Sequence, residues 1–250
     1  MKKILYYILN ITMHRMQKEI VKFLSPPQKK KLIIFDVGCY RGVFFKGILN
    51  QLTKNEVNQC KVYLFDINKN VKFYIKDFLK LKNIFYNEVA ISNKIGKAEY
   101  HYNSFFEASG SSLSTIYKDD KLWVNSRKLI LKFLFQKTKN YIHYKVPTIT
   151  LDSFIEKKKI KKIDILKIDI DGSEMDVIEG LKKSLKNNKI KILLTEINET
   201  NKKYNLKEKK VINFLKKYDF KLVKKNIMLT PSLFSSITSG DYLFINTKLI

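Results

Sequence analysis

The chain of 250 residues is 45% hydrophobic and contains eight glycines and four prolines, which excludes a disordered chain and fits a globular protein. Its formal net charge of +26 suggests an anionic partner, but only Arg15, Arg41 and Arg127 are arginines, and the other basic residues are lysines. Phosphate sites favour the bidentate guanidinium of Arg, so we expect a solvated basic surface and no nucleic-acid partner.

The N-terminal segment, residues 1–27, is predicted to form an amphipathic helix that packs on the domain. Its apolar residues recur at helical spacing, and Pro26 and Pro27 end the helix. No small-residue cleavage site follows, so we expect a cytoplasmic protein without stable membrane insertion, although the helix offers a peripheral membrane contact as an alternative. Cys39 and Cys60 lack the number and spacing of a disulfide framework or a metal site.

Residues 28–250 are predicted to form a single α/β domain, because buried strands alternate with amphipathic helices. The predicted strands are 32–35, 62–65, 84–86, 97–102, 144–151, 163–170, 191–197, 221–224 and 242–247. The predicted helices are 43–54, 69–81, 120–138, 174–185 and 207–218. This rhythm is interrupted at about 104–145, which we interpret as an inserted segment that covers the ligand site.

The sharpest motif is the turn from Asp36 to Gly42, which follows the first buried strand and opens a helix. Gly38 lets a ligand approach the backbone, and the start of a helix offers N–H groups to a carboxylate or phosphate. Dinucleotide-binding turns have the pattern G-x-G-x-x-G, and the middle glycine is absent here, which disfavours a pyrophosphate site. We therefore expect Gly38→Val to block the ligand and to leave the fold largely intact. An ordinary tight turn is the alternative.

Asp66 stands at the carboxyl end of the second predicted strand. An acid at this place can accept hydrogen bonds from both ribose hydroxyls of a bound nucleoside. Acids are common at strand ends, so the signal is weak alone. Together with the glycine turn one strand earlier, it predicts a nucleoside-binding site.

A third motif, from Ile165 to Glu174, brings three acids to the end of one strand. Asp169 and Asp171 lie at the carboxyl edge, where open α/β sheets bind ligands, and Glu174 follows closely. Crowded carboxylates repel one another, so they favour a cationic ligand, a metal or a proton-transfer task. Lys167 precedes them and can pair with one carboxylate.

Two neighbouring features have structural interpretations. Ser173 and Asp176 fit a capping box for the helix that follows the third motif. Glu196 ends the next strand and is a candidate for the same cleft, with a solvated strand end as the alternative.

These motifs together resemble the FkbM-type family of class I S-adenosylmethionine-dependent methyltransferases, over about residues 32–197. The corresponding stretches are Asp36 to Gly42, Asp66, Ala90-Ile91-Ser92, Thr150-Leu151-Asp152 and Lys167 to Glu174. Asp66 and Asp171 stand where the family usually has Glu, so any contact at these positions is made by a shorter side chain.

The resemblance implies a Rossmann-like α/β fold: a mostly parallel seven-stranded sheet in the order 3-2-1-4-5-7-6, with an antiparallel last strand and helices on both faces. It also implies S-adenosyl-L-methionine as cofactor and in-line O-methylation of a sugar or other small-molecule hydroxyl. The residues placed at the cofactor are Asp36, Gly38, Cys39, Tyr40, Gly42, Asp66, Ile67, Ala90 and Asp169. The candidates for the catalytic base are Asp169, Asp171 and Glu174.

The acceptor is predicted to be a small molecule or glycan, with His143, Trp123 and Glu196 as contacts and His101 as a further imidazole candidate. The Asn/Asp-Pro-Pro-aromatic motif of enzymes that methylate base amines is absent after the fourth strand of the sheet. Two alternatives are an NAD(P)-dependent oxidoreductase and a non-catalytic basic adaptor for nucleic acid or anionic membrane. No motif indicates an oligomeric state or demands a metal.

Overall fold

The computed structural model describes residues 16–24, 31–68, 70–102, 142–170, 172–200, 206–228 and 237–250. Its strands are β1 (Ile33–Val37), β2 (Lys61–Phe65), β3 (Ile84–Asn87), β4 (Ala90–Ile91), β5 (Gly96–Tyr102), β6 (Ile142–Ile149), β7 (Ile163–Ile168), β8 (Ile190–Thr200), β9 (Phe220–Met228) and β10 (Ile237–Asn246). Its helices are α1 (residues 16–23), α2 (Val43–Leu49), α3 (Lys54–Gln59), α4 (Val71–Ile75), α5 (Leu151–Lys157), α6 (Glu174–Glu179), α7 (Lys182–Lys186) and α8 (Leu206–Lys216), with a short 3-10 helix at Phe78–Lys80.

Seven strands form one sheet in the spatial order β3-β2-β1-β7-β8-β10-β9. Counted among themselves, these strands have the predicted order 3-2-1-4-5-7-6. The pairs β1–β2, β1–β7, β2–β3 and β7–β8 are parallel, whereas β10 is antiparallel to both of its neighbours. The predicted Rossmann-like α/β sheet with an antiparallel last strand is therefore confirmed.

Helices cover both faces of this sheet, because successive residues of each strand point to opposite sides. On one side Phe35 and Leu166 belong to an apolar cluster that includes residues of α5, α6 and α8. On the other side Ile34, Ile165 and Leu243 pack with residues of α1 and α2. We call this second side the α2 face, because it carries the polar residues described below.

A second, three-stranded sheet has the order β4-β6-β5. β6 pairs in parallel with β4 and antiparallel with β5, so the predicted strands 97–102 and 144–151 are partners. Ala90, Tyr100 and Val146 form its small apolar cluster. Residues 103–141, which join β5 to β6 and hold most of the predicted insertion, lie outside the described residues.

The helices are shorter than predicted. The predicted helix 43–54 is divided into α2 and α3, and α3 begins with a capping box between Thr53 and Glu56. The predicted helix 69–81 consists of α4 and the 3-10 helix, and the predicted helix 174–185 consists of α6 and α7. The first two divisions lie among exposed or half-buried residues, whereas the one between α6 and α7 is buried at Gly180 and Leu181, and none changes the order of the strands.

Within the N-terminal segment, residues 16–24 are described and 16–23 are helical. Met16 and Ile20 are fully buried on the α2 face. The side-chain amide of Gln17 donates hydrogen bonds to the carbonyl oxygens of Val43 at 3.0 Å and Phe44 at 3.2 Å, so α1 contacts α2 directly. Across the described ranges, no helix has the length and apolar character needed to cross a bilayer.

Candidate functional site

The turn after β1 lies at the edge of the sheet where β1, β2 and β7 end. The backbone N–H groups of Gly38 and Cys39 both donate to the carbonyl oxygen of Phe65, at 2.9 and 3.2 Å. Gly38 (φ 74°), Tyr40 (φ 40°) and Gly42 (φ 73°) have left-handed backbone. The turn is therefore tightly wound and attached to the end of β2.

Gly38 is required by the close packing of two strand ends. A Cβ atom at this position would overlap the carbonyl oxygen of Asp169 and would lie 3.2 Å from Cγ2 of Ile170. The expectation that Gly38→Val leaves the fold largely intact is therefore wrong, because any side chain here pushes the β1 turn away from the end of β7. Gly38 brings the two chain segments of the site together.

Lys167 lies at the centre of a buried ion-pair network below this turn. Its Nζ is 3.3 Å from Oδ1 of Asp36 and 3.1 Å from Oδ2 of Asp169, and it donates a hydrogen bond to the Gly38 carbonyl at 2.8 Å. Asp36 is fully buried, and among the described residues neither of its carboxylate oxygens has a hydrogen bond of good geometry. Lys167 therefore pairs with two acids where the sequence predicted one.

The charges of this network depend on one another. Burial raises the pKa of Asp36, and the charge of Lys167 counteracts this by lowering it. Burial lowers the pKa of Lys167, but the attraction of Asp169 and Asp36 is larger in sum and raises that pKa above its ordinary value. Lys167 is therefore a cation at neutral pH and compensates for one of the two neighbouring carboxylates.

Asp66 joins the end of β2 to the β1 turn. Its Oδ2 accepts a hydrogen bond from the Tyr40 N–H and its Oδ1 accepts one from the Asn68 N–H, both at 2.9 Å. Burial raises the pKa of Asp66, and the two backbone N–H groups lower it. The Tyr86 hydroxyl donates to the Asp66 carbonyl at 3.0 Å, which fixes the same residue from β3. Each carboxylate oxygen still has a lone pair for a ligand.

Aromatic rings flank the turn on the side of α4. The guanidinium of Arg41 lies 4.6 Å from the ring centroid of Tyr74 and 5.1 Å from that of Tyr40. Cys39 is buried, and burial, followed by the charges of Asp66 and Asp36, raises the pKa of its thiol. Cys39 therefore packs in the interior of the protein. The side chain of Tyr40 is partly exposed at the edge of the sheet.

The candidates for a catalytic base have different environments. Glu174 is only 2% exposed, and its Oε1 accepts hydrogen bonds from the N–H groups of Gly172 at 2.7 Å and Ile170 at 3.2 Å. Burial raises the pKa of Glu174. The side chain of Asp169 is 33% exposed and so can meet a ligand. Asp171 lies outside the described residues.

The predicted capping box of Ser173 and Asp176 is wrong. The Ser173 side chain makes no capping hydrogen bond to α6, and only its carbonyl oxygen contacts the Asp176 N–H, at 3.1 Å. The Asp176 carboxylate instead accepts a hydrogen bond from the Asn93 amide at 3.1 Å. The carboxylate of Glu174 accepts hydrogen bonds from the backbone before α6.

Polar residues continue across the sheet edge onto β8 and β10. Glu196 accepts hydrogen bonds from the Asn198 amide at 2.8 Å and from the Ser239 hydroxyl at 2.6 Å. Asp241 lies opposite Glu196 in the register of β8 and β10. Neither Asn198 nor Asp241 was predicted from the sequence. An acid directly before an apolar strand is the signal for Asp241, because an antiparallel strand begins at the edge where parallel strands end.

The remaining predicted contacts lie near the small sheet or outside the described residues. Ile67 is partly buried and packs against the cluster that contains Ala90. His143 is opposite His101 in the pairing of β5 with β6, and the two side chains lie outside the described part of the chain. Trp123 is also outside it.

Comparison with known proteins identifies one family. A family model described as "Methyltransferase FkbM domain" matches residues 36–222. No curated protein matches the chain significantly. A methyltransferase FkbM from Methylobacillus flagellatus KT has 11% identity and a TM-score of 0.49; the similarity covers 87% of this chain and 45% of that one. The chain thus spans less than half the length of that protein.

Two further solved structures resemble the chain. The magnesium protoporphyrin IX methyltransferase of Synechocystis PCC 6803, solved with bound S-adenosylmethionine, has 11% identity and a TM-score of 0.46, over 93% of this chain and 78% of that one. A putative tRNA (m1A22) methyltransferase of Streptococcus pneumoniae, also in complex with S-adenosyl-L-methionine, has 10% identity and a TM-score of 0.42, over 92% and 72%.

Proposed function

Because the chain belongs to the FkbM methyltransferase family, we propose that it transfers a methyl group from S-adenosyl-L-methionine to a hydroxyl of a sugar or another small molecule. The observation that carries this proposal is the position of Asp36, Asp66 and Asp169 at the ends of three adjacent strands, with Lys167 paired to Asp36 and Asp169. An excess of carboxylates over cations favours a positively charged ligand. The sulfonium group of S-adenosyl-L-methionine carries such a charge.

The residues at the ends of β1 and β2 fit this cofactor. Asp66 uses one lone pair of each carboxylate oxygen for a backbone N–H, and the other lone pairs suit the two ribose hydroxyls. The turn from Gly38 to Gly42 would lie against the amino-acid part of the cofactor. Ile67 and Ala90, which pack in one cluster beyond Asp66, would contact the base.

When bound, S-adenosyl-L-methionine supplies an electrophilic methyl group on a positively charged sulfur. The main task of the chain is to align an acceptor oxygen with that methyl group, because positioning is a large part of catalysis in such a transfer. Lys167 fixes the Asp169 carboxylate at 3.1 Å, between the ends of β1 and β8. A carboxylate beside the acceptor hydroxyl then accepts its proton.

The cofactor half of the site is tested by calorimetric titration of S-adenosylhomocysteine into the wild type, Asp66→Ala and Asp77→Ala. We expect Asp66→Ala to bind about 10–100-fold more weakly, because it loses charge-assisted hydrogen bonds. Asp77 is the matched control, since this exposed acid pairs with Lys80. Equal affinity of Asp66→Ala and the wild type, or binding of NADH in place of S-adenosylhomocysteine, would contradict the proposal.

The acceptor class is tested by transfer of a tritiated methyl group to a panel of free sugars, methyl glycosides and phenols, with RNA and nucleobases as comparisons. We expect label in O-methyl products only. Label in RNA or nucleobases, with none in the hydroxyl compounds, would overturn the acceptor assignment and leave the cofactor assignment standing.

A further inference from the structure

Three acids form a row across the edge of the sheet, on the side of Lys167 that faces β8 and β10. We call this side the acceptor side. The register pairs Ile168 with Thr195 and Asp241 with Glu196. Asp169 follows Ile168 directly, so Asp169, Glu196 and Asp241 occupy neighbouring places on β7, β8 and β10. Adjacent strands are about 4.8 Å apart, which puts the backbones of Asp169 and Asp241 roughly 10 Å apart.

This row belongs to the α2 face. Leu194 and Leu243 lie two residues from Glu196 and Asp241 along their strands, and both pack in the apolar cluster of that face. Side chains two apart in a strand point the same way, so Glu196 and Asp241 also point to the α2 face. Asp169 is on this face too, because it shares Lys167 with Asp36.

Asp241 has an unusual environment for an acid. Within the described ranges, its carboxylate accepts no hydrogen bond and forms no ion pair, and it is only partly exposed. Burial, followed by the charge of Asp169, raises the pKa of Asp241 to about 7, and Lys167 acts in the opposite direction. A partly buried carboxylate without a partner is costly unless a ligand or a proton supplies one.

Asn198 is a second, independent sign of a ligand at this place. It is fully buried, and its amide nitrogen donates to Glu196 at 2.8 Å. Its amide oxygen is also buried and has no hydrogen-bond partner among the described residues. Asn198 and Asp241 therefore flank Glu196 with two oxygen acceptors that lack donors, and a pair of neighbouring hydroxyl groups would supply both donors.

We propose that Asp241 is the general base of the methyl transfer and that Asn198 positions the acceptor through a second, neighbouring hydroxyl. The inference rests on the proposed function and narrows the acceptor to a vicinal diol, as sugars present. The acceptor oxygen forms a bond to the methyl carbon as the carbon–sulfur bond breaks, and sulfur keeps the electron pair of that bond. The hydroxyl proton passes to the Asp241 carboxylate and then to solvent.

Among the described residues, three other acids near Asp241 already have partners. Asp169 is paired with Lys167, Glu174 binds two backbone N–H groups, and Glu196 holds Ser239 and Asn198. Asp241 lies opposite Glu196 of β8 and the uncharged Asn226 of β9, and the charges of Lys167 and Asp169, on and just after β7, act on it from two strands away. No group of three or more His, Cys, Asp or Glu side chains in the described residues is arranged to hold a metal ion.

The first test does not depend on turnover. The carboxyl carbons of ¹³C-labelled aspartate are titrated by NMR in the S-adenosylhomocysteine complex of the wild type, Asp241→Asn and the control Asp77→Asn. We expect one resonance that titrates near neutral pH, present in the wild type and the control and absent in Asp241→Asn, with S-adenosylhomocysteine affinity within about twofold in all three. Titration of Asp241 near its ordinary value, or loss of S-adenosylhomocysteine binding in Asp241→Asn, would overturn the inference.

The second test uses tritium transfer to a pool of methyl glycosides. In the wild type, kcat should rise with pH through about 7 and then level off, since the base must be deprotonated. Asp241→Asn should lower kcat by about 10²–10⁴-fold and remove this pH dependence, and Asp241→Glu should restore part of both. Asn198→Ala should raise KM by about tenfold and change kcat little, because it loses one buried hydrogen bond to the acceptor.

The two proposals fail in different ways. A wild-type chain that binds S-adenosylhomocysteine but labels no hydroxyl compound contradicts the proposed function, and the carboxyl titration still decides the state of Asp241. A wild-type chain that labels a glycoside, with Asp241→Asn showing the same rate and the same pH profile, contradicts the role of Asp241 alone.

Discussion

The ammonium nitrogen of Lys167 lies 3.3 Å from a carboxylate oxygen of Asp36, and both side chains are almost completely buried. The two residues are direct neighbours in the register of β1 and β7, so the ion pair joins the central strand β7 to the adjacent strand β1. The same ammonium group binds the Gly38 carbonyl and Asp169, which makes it part of both the fold and the candidate site. Such a buried pair adds little net stability, but the loss of one partner is costly.

Lys167→Met should therefore lower the free energy of unfolding by about 3–5 kcal/mol, because Asp36 is left as an uncompensated buried charge. The double variant Asp36→Asn/Lys167→Met should recover part of this loss. Urea denaturation at constant pH measures both, and Lys80→Met, which removes an exposed ion pair with Asp77, is the control that should behave as the wild type. A loss in Lys167→Met no larger than that of the control would contradict the buried-charge explanation.

The parallel strands were predictable because each is a short, continuous apolar run that ends in an acid or a glycine turn, whereas their order in the sheet was implied by the resemblance to the FkbM-type family. β1 and β7 are examples, with Asp36 and Asp169 at their carboxyl ends. The breaks in the helices were harder to predict. The break between α6 and α7 contains Gly180, where a Cβ would overlap the Ser92 carbonyl, and this contact joins residues far apart in the sequence.

The candidate site was predictable where it follows parallel strands and was missed where it does not. The turn that ends at Gly42 comes directly after an apolar run, and so does Asp66. Both were therefore predicted to lie at the edge of the sheet where the parallel strands end. Asp241 precedes its apolar run because β10 is antiparallel, and the predicted start of that strand at residue 242 left it out. Asn198 lies inside β8, beyond the predicted end of the strand at residue 197.

Gly38→Ala should be far more destabilising than Gly96→Ala. Both glycines have positive φ, but a Cβ at Gly38 would overlap the Asp169 carbonyl, whereas a Cβ at Gly96 meets no atom within 4 Å. Gly96→Ala then costs only backbone strain of about 1–3 kcal/mol, and Gly38→Ala adds the separation of β1 from β7. Thermal unfolding of both variants checks this, and equal melting temperatures would show that the overlap is relieved without cost.

Glu174→Ala and Ser173→Ala test which side chain stabilises the start of α6. The alternatives are the hydrogen bonds of Glu174 to the preceding backbone and the predicted capping box of Ser173. Glu174→Ala should lower the free energy of unfolding by about 2 kcal/mol, since it leaves the N–H groups of Ile170 and Gly172 without their acceptor. Ser173→Ala should change it by no more than about 0.5 kcal/mol, because the hydroxyl makes no capping hydrogen bond. Urea denaturation of the pair gives the comparison, and a larger effect at Ser173 would restore the capping box.

Asp241→Asn should change how stability depends on pH. The pKa of Asp241 is raised from 3.8 in the unfolded chain to about 7 in the folded one, so the folded state binds the extra proton between these values. The wild type therefore loses stability from this group as pH rises from about 4 to about 7, by at most about 4 kcal/mol, and the loss is complete above that range. The variant lacks this charge and should match the wild type near pH 4.5 and exceed it in stability at pH 8. Urea midpoints at both pH values measure the difference, with Asp77→Asn as the control, and a gain that is equal at both pH values would show that Asp241 does not titrate in this range.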